Sequence, residues 1–233
     1  MSSDAGKLTI FVPTYKRADG LDRALASIFL DNERVSNDIN VVISSNSIED
    51  EKSKNVVEKW KKKHDNIQFF CNKENVGLDG NHDLVYQYCD TPYALFLADD
   101  DALMRDSLRQ IIDGCANDYT FAIINSLPAP PQLFPYRGVR NILRCGIYKI
   151  KSLLGKITPI YKIKDELISG DKCSKIFSSK EFTPNILPLL PFYSGLLVNV
   201  EKVKNSLSYS DRYVFQGTLH QYIGTLWNAT FET

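Results

Sequence analysis

The sequence predicts an α/β protein with a mostly parallel central sheet and helices on both faces. Two observations carry this. Strand-like apolar runs alternate with segments of helical periodicity through the first 126 residues, in the pattern that parallel βαβ units produce. Polar clusters also fall where those runs end: "TYKR", "SNS", "NKENVG" and "DDD" follow the first four in order. In open parallel sheets ligands gather at the carboxyl ends of the strands, so these clusters are the first place to look for a site.

"KLTIFVPT" is a β-rich run ending just after Pro13, and in "ADGLDRALASIFL" Leu21, Ala24, Leu25, Ile28 and Phe29 recur at helical spacing. "INVVISS" reads as a buried strand. "EDEKSKNVVEKWKKK" reads as a solvated helix, its acids first and lysines last, as the helix dipole favours. "IQFFCN" is a third strand, "NHDLVYQYC" a helix, "YALFLA" a fourth strand, "SLRQIIDGCA" a helix and "TFAIINS" a fifth strand in the same parallel series. The proline-rich "LPAPPQLFP" ends this regularity. Later, "FYSGLLVNVEKV" predicts one more strand and "GTLHQYIGTLW" a short helix or turn. One domain spanning 1–233 is expected, with residues 1–126 as its ligand-binding half and 127–233 as a second half.

With 43% hydrophobic and 24% charged residues the chain has ordinary globular composition, and its zero formal net charge says nothing by itself about a polyanionic partner, which only local runs of charge can indicate. The five cysteines form no CxxC pair, which points away from a zinc site or disulfide framework and toward a reducing cytosol. The N-terminus has no signal-peptide pattern. The longest uncharged run, 182–200, is broken by Pro184, Pro188 and Pro191, so no bilayer span is expected. Between 119 and 164 there is no acidic residue, and over 137–164 basic residues alternate with an apolar stripe. That stretch is either an interfacial helix on anionic lipid or a helix covering the sheet with solvated charges. No nucleic-acid motif accompanies it, so no nucleic-acid partner is expected. No GxGxxG follows any strand and no glycine-rich loop follows the first, which points away from a dinucleotide-binding dehydrogenase and from a sugar nucleotidyltransferase.

In "ALFLADDD", residues 94–101, an apolar run ends in three adjacent carboxylates that repel one another. Two readings remain open on the residues alone. Asp99 and Asp101 can both supply oxygen ligands to Mg²⁺ or Mn²⁺, or the segment is a solvated turn that caps the next helix.

Taken in order, "FVPTYKR", "VVISSNSIED", "NKENVGLDGN", "LFLADDD" and "FYSGLLVN" resemble the successive markers of family-2 glycosyltransferases with the GT-A fold, across residues 8–199. The flavour is similar to the bacterial abequosyltransferase-like group of surface-polysaccharide enzymes. The resemblance implies an inverting, metal-assisted transfer from a nucleotide-diphospho-sugar to a saccharide or lipid-linked saccharide. The enzyme would be cytoplasmic, peripheral on the inner face of the membrane through 137–164. Pro13, Thr14, Tyr15 and Arg17 match the turn that contacts the nucleotide. Tyr15 can stack on a base and Arg17 can pair with diphosphate through its planar fork. Asn46 belongs to the second marker, and Asn75, Gly77 and Asn81 to the segment under the nucleotide, Asn81 being equally readable as the cap of "NHDLVYQY". Asp99 and Asp100 count with the nucleotide contacts, and Asp99 and Asp101 with the divalent cation, Mn²⁺ or Mg²⁺.

The chain departs from the family pattern at three places. Ser45 stands where an aspartate usually reads the base, although Asn46 and Asp50 remain. Lys16 replaces the commoner asparagine. No Glu-Asp pair follows the Ser-Gly strand, which leaves His220 as general base or metal ligand and Asp211 as the carboxylate alternative. The missing pair and the end of the chain at Thr233 also keep open a non-catalytic sugar-nucleotide-binding or scaffold protein of the same fold.

Overall fold

Strand β1 (Leu8–Thr14) is buried along its whole length, which is why it reads as an unbroken apolar run. Its side chains alternate between two covered faces. Leu8, Ile10 and Val12 join a core with Leu21, Leu25 and Ile28 of helix α1 (Ala18–Phe29) and with Val57 and Trp60 of α2 (Glu51–Lys61). On the other face Phe11 meets Phe96 edge to face at 5.9 Å. Phe96 is in turn stacked at 4.7 Å by His82 of α3 (Gly77–Tyr88). Helices therefore cover both faces. The computed structural model describes residues 6–116, 119–124 and 194–207, with Tyr222, Ile223, Thr225, Leu226 and Ala229. All belong to one unit, Met1–Ile124 with Leu190–Thr233.

The sheet has six strands in the order β3-β2-β1-β4-β6-β5. β2 (Asn40–Ser45) and β4 (Tyr93–Phe96) flank β1 in parallel, and β3 (Ile67–Cys71) extends the parallel set beyond β2. The chain steps outward from β1 to β3 and then returns to the other side of β1. That reversal makes the gap between the ends of β1 and β4 the topological switch point.

Three expectations need correction. The fifth strand, β5 (Phe121–Ile123), does not continue the parallel series: it pairs antiparallel with β6 (Leu196–Asn199), which is itself antiparallel to β4. The strand expected through "FYSGLLVNVEKV" stops at Asn199, whose side chain caps α5 (Val200–Ser206) by accepting from the Lys202 amide at 3.1 Å. Helix α3 begins at Gly77, one turn before the expected start, so Asn81 lies inside the helix and does not cap it. Helix α4 (Ser107–Gly114) starts well beyond the three aspartates. Its cap position, Asp106, has φ 58° and makes no side-chain cap bond, while the Leu108 amide donates to Asn32 Oδ1 at 2.9 Å. The acids at 99–101 are therefore not a helix cap.

Candidate functional site

At the end of β1, Thr14 pairs in register with Ser45 of β2. Past it, Lys16 takes a left-handed conformation (φ 55°), one of two non-glycine residues to do so among those described. Its amide donates to Asp50 Oδ2 at 2.9 Å, and Asp50 Oδ1 accepts from the Ser53 amide at 3.2 Å as the N-cap of α2. The turn leaves Tyr15 46% exposed and delivers Arg17 to the start of α1.

Across the switch point the Ala98 amide donates to Ser194 Oγ at 2.7 Å, and the chain turns through Asp101 N–H to Ala98 O at 3.1 Å. The three carboxylates part company here. Asp99 is buried, its Oδ2 accepting from the Thr14 hydroxyl at 2.8 Å and its Oδ1 from Arg17 Nη1 at 3.1 Å. The same nitrogen reaches Asp100 Oδ2 at 2.9 Å. Asp100 and Asp101 are exposed. Burial pushes the Asp99 carboxyl above its ordinary value, and the Thr14 and Arg17 contacts oppose the rise without cancelling it. The repulsion visible in "DDD" is thus met by a bridging guanidinium on two of the acids and by water on the third.

Gly20 brings α1 against this motif. A Cβ there would run into the Asp99 carbonyl oxygen, so only glycine permits the approach.

Behind the β2 end lies a buried polar network that the sequence did not single out. Asn72 Nδ2 donates to Asn46 Oδ1 at 2.8 Å and to Asn81 Oδ1 at 3.2 Å, and Ser44 Oγ donates to Asn81 Oδ1 at 2.8 Å. Asn46 Nδ2 then reaches the Gly77 carbonyl at 3.3 Å. Gly77 has φ 71°, and its amide is held by Asn75 Oδ1 at 2.9 Å in an Asx turn that opens α3. Ser45 is buried and bonds locally, its hydroxyl 3.3 Å from the Ser47 carbonyl. Asn72 and Ser44 carry no signal in the sequence, because short polar residues at strand ends look like loop chemistry until the register is known.

The strand ends thus gather Pro13, Thr14, Tyr15, Arg17, Asn46, Asn75, Gly77, Asn81, Asp99, Asp100 and Asp101. His220, Asp211 and the basic stretch 137–164 lie outside the described residues. Among those described, no group of three or more His, Cys, Asp or Glu could hold a metal by itself. The donors still fit Mg²⁺ or Mn²⁺, which bind through one or two carboxylates together with substrate phosphates and water. Asp101 presents an exposed hard oxygen donor, whereas Asp99 already uses both its oxygens on Thr14 and Arg17.

A family model described as glycosyl transferase family 2 matches residues 9–176, more than half of the chain. Two curated relatives are similar. A GalNAc(5)-diNAcBac-PP-undecaprenol beta-1,3-glucosyltransferase of Campylobacter jejuni is 28% identical over 122 residues, covering 52% of this chain and 38% of that one. A processive diacylglycerol beta-glycosyltransferase of Mycoplasma genitalium is 26% identical over 124 residues, covering 52% and 35%. The matches thus span little more than a third of these relatives' lengths. Among solved structures, S. aureus TarS 1-349 superposes with TM-score 0.60 at 13% identity, covering 96% of this chain and 55% of that one. Galactosyltransferase LgtC, in complex with donor and acceptor sugar analogs, gives 0.51 at 13% identity, with 96% and 70% covered. The fold is that of the GT-A glycosyltransferases. Among the described residues, no helix is long and apolar enough to cross a membrane.

Proposed function

The chain belongs to glycosyl transferase family 2, and from that premise we propose that it moves a sugar from a nucleotide-diphospho-sugar to a saccharide or lipid-linked saccharide acceptor, inverting the anomeric centre. The observation that carries the reading is the Thr14–Asp99–Arg17 cluster at the switch point, with the open Asp101 carboxylate beside it. A structure of TarS, similar to this chain with TM-score 0.56, was solved in complex with UDP, and that supports a nucleotide ligand. The polyprenol-linked saccharide in the name of one relative supports an acceptor of that class, and the diacylglycerol in the name of the other supports an acceptor with a lipid part.

The exposed Tyr15 ring stacks on the base. Asp99, held by Thr14, keeps a lone pair for a ribose hydroxyl, since each carboxylate oxygen can accept twice. Arg17 pairs with the diphosphate. Asp101 would hold a Mg²⁺ or Mn²⁺ ion, whose charge would stabilise the departing nucleoside diphosphate. His220 or Asp211 takes the proton from the acceptor hydroxyl as its oxygen attacks the anomeric carbon and the bond to diphosphate breaks. The setting is surface-polysaccharide synthesis at the cytoplasmic face of a membrane, with 137–164 against anionic lipid.

A thermal-shift screen of nucleoside diphosphates with and without Mn²⁺ tests this. One nucleotide should raise the melting temperature of the wild type only with Mn²⁺, by mass action on the folded state. Asp101→Ala should lose that shift and lower transfer by about a hundredfold or more. Unchanged binding and transfer in Asp101→Ala would defeat the proposal. Metal-dependent nucleotide binding without turnover on any acceptor would favour the non-catalytic alternative.

A further inference from the structure

The structure assigns a positioning role to Asp50: one carboxylate both caps α2 and holds the nucleotide-contacting turn at Lys16 in its left-handed conformation. The inference deepens the proposed function and rests on it for the ligand, though not for the geometry of the turn. Asp50 Oδ1 accepts from the Ser53 amide at 3.2 Å, and Oδ2 accepts from the Lys16 amide at 2.9 Å. The first bond satisfies an orphan donor of the helix end. The second crosses from the β2–α2 connection to the β1–α1 connection, fixing one against the other.

Lys16 needs such a hold. Its φ of 55° lies where Cβ crowds the following carbonyl, a conformation that persists only when the surroundings impose it. Helix α1 offers no local support, because Arg17 at its cap position makes no side-chain cap bond. What the turn delivers is specific. On one side of Lys16 the Tyr15 ring stands 46% exposed, and on the other Arg17 bridges Asp99 and Asp100 at 3.1 and 2.9 Å. If Lys16 relaxes to φ < 0, the chain direction between Thr14 and α1 changes, and Tyr15 and Arg17 lose their common aim. Asp50 touches neither nucleotide nor reacting atoms in this account and acts through Lys16.

Serine separates the two bonds. It caps helices about as well as aspartate, yet its one oxygen can stand in for only one of the two Asp50 oxygens, and these reach amides on different connections, so Ser53 and Lys16 cannot both be served. Three variants, Asp50→Ser, Asp50→Ala and Asp50→Ser with Lys16→Gly, would be compared with wild type by thermal denaturation, by amide hydrogen exchange at residue 16 and by Mn²⁺-dependent UDP and GDP titration. Asp50→Ser should melt within about 2 °C of wild type, whereas Asp50→Ala should melt several degrees lower. Both should lose protection of the residue-16 amide. Nucleotide affinity should fall about tenfold in Asp50→Ser, the size expected if most of the left-handed strain is no longer held. Glycine at 16 adopts the left-handed region freely, so the double variant should recover part of that loss without restoring amide protection.

Protection at residue 16 unchanged in Asp50→Ser would overturn the inference, and so would nucleotide affinity equal to wild type. A wild type that binds no nucleoside diphosphate in the presence of Mn²⁺ would remove the proposed function, and the exchange measurement would then decide the role of Asp50 alone.

Discussion

Gly20 and Asp99 show how much of this site is set by single atoms. Intrinsic propensity says that Gly20→Ala should stabilise α1 by up to about 1 kcal/mol. The added Cβ would instead press against the Asp99 carbonyl oxygen, inside any tolerable contact. Relief of such overpacking typically costs about 1–3 kcal/mol, so the clash wins. Gly20→Ala should lower the urea midpoint by the equivalent of about 1–2 kcal/mol and displace Asp99 from Thr14, weakening nucleotide binding as well. Asp99 also makes a pH prediction. Its carboxyl titrates above 3.8, burial being the leading cause, so the folded state holds the proton more tightly than the unfolded chain. This contribution to stability is fully present below pH 3.8 and is lost as pH rises through the folded-state value. Urea titrations of wild type and Asp99→Asn across mildly acidic pH should therefore diverge, with wild type losing ground as pH rises. The acids were legible in the sequence as a motif, but their division into one buried and two exposed was not. That division depends on Arg17 and Thr14, which lie 82 and 85 positions from Asp99.

Between elements, α1 and α2 are tied at a point away from the site. Asp22 Oδ1 accepts from Trp60 Nε1 at 2.6 Å and from Lys59 Nζ at 2.9 Å. Burial raises the Asp22 carboxyl, but these two partners together outweigh it and leave the group below 3.8. The contribution is therefore present above pH 3.8 and is lost as pH falls through the lower, folded-state value. Asp22→Ala should cost about 1 kcal/mol near neutral pH, a figure kept small because both Asp22 and Lys59 are partly exposed. The gap to wild type should close in strong acid, which chemical denaturation at two pH values would check. Elements with strong periodicity, such as α1, were readable because seven of its residues are buried along one stripe. The start of helix α3 is hidden in the sequence because its cap position is Val76, which makes no side-chain cap bond. The true signal was Gly77 at positive φ with Asn75 folding back on it. A strand of three residues, Phe121–Ile123, carries no record of its direction, which is fixed by β6 from much later in the chain.

Across the whole molecule, the parallel half of the sheet could be anticipated from local alternation, and the antiparallel half could not. Strands β5 and β6 run side by side, with Ile123 opposite Leu196, and the Ile124 amide donates to the Gly195 carbonyl at 2.7 Å. Gly195 has φ 87°, and a Cβ there would lie 2.7 Å from the Ile124 carbonyl oxygen, so the junction admits little besides glycine. The chain thus leaves the sheet and re-enters it at one spot, and Asn125–Leu189 forms a unit of its own between these points. Pairing β5 with β6 therefore closes a ring that runs through this unit. Deleting Asn125–Leu189 would leave residues 190–194 as a connection of hairpin length. The shortened chain should still unfold cooperatively in urea, and loss of a cooperative transition would show that the ring contributes contacts the sheet needs. The same geometry makes this junction a natural splice point. Because Ser194 Oγ accepts from the Ala98 amide at this junction, a splice there is felt at the end of β4, where Thr14 and Arg17 meet Asp99.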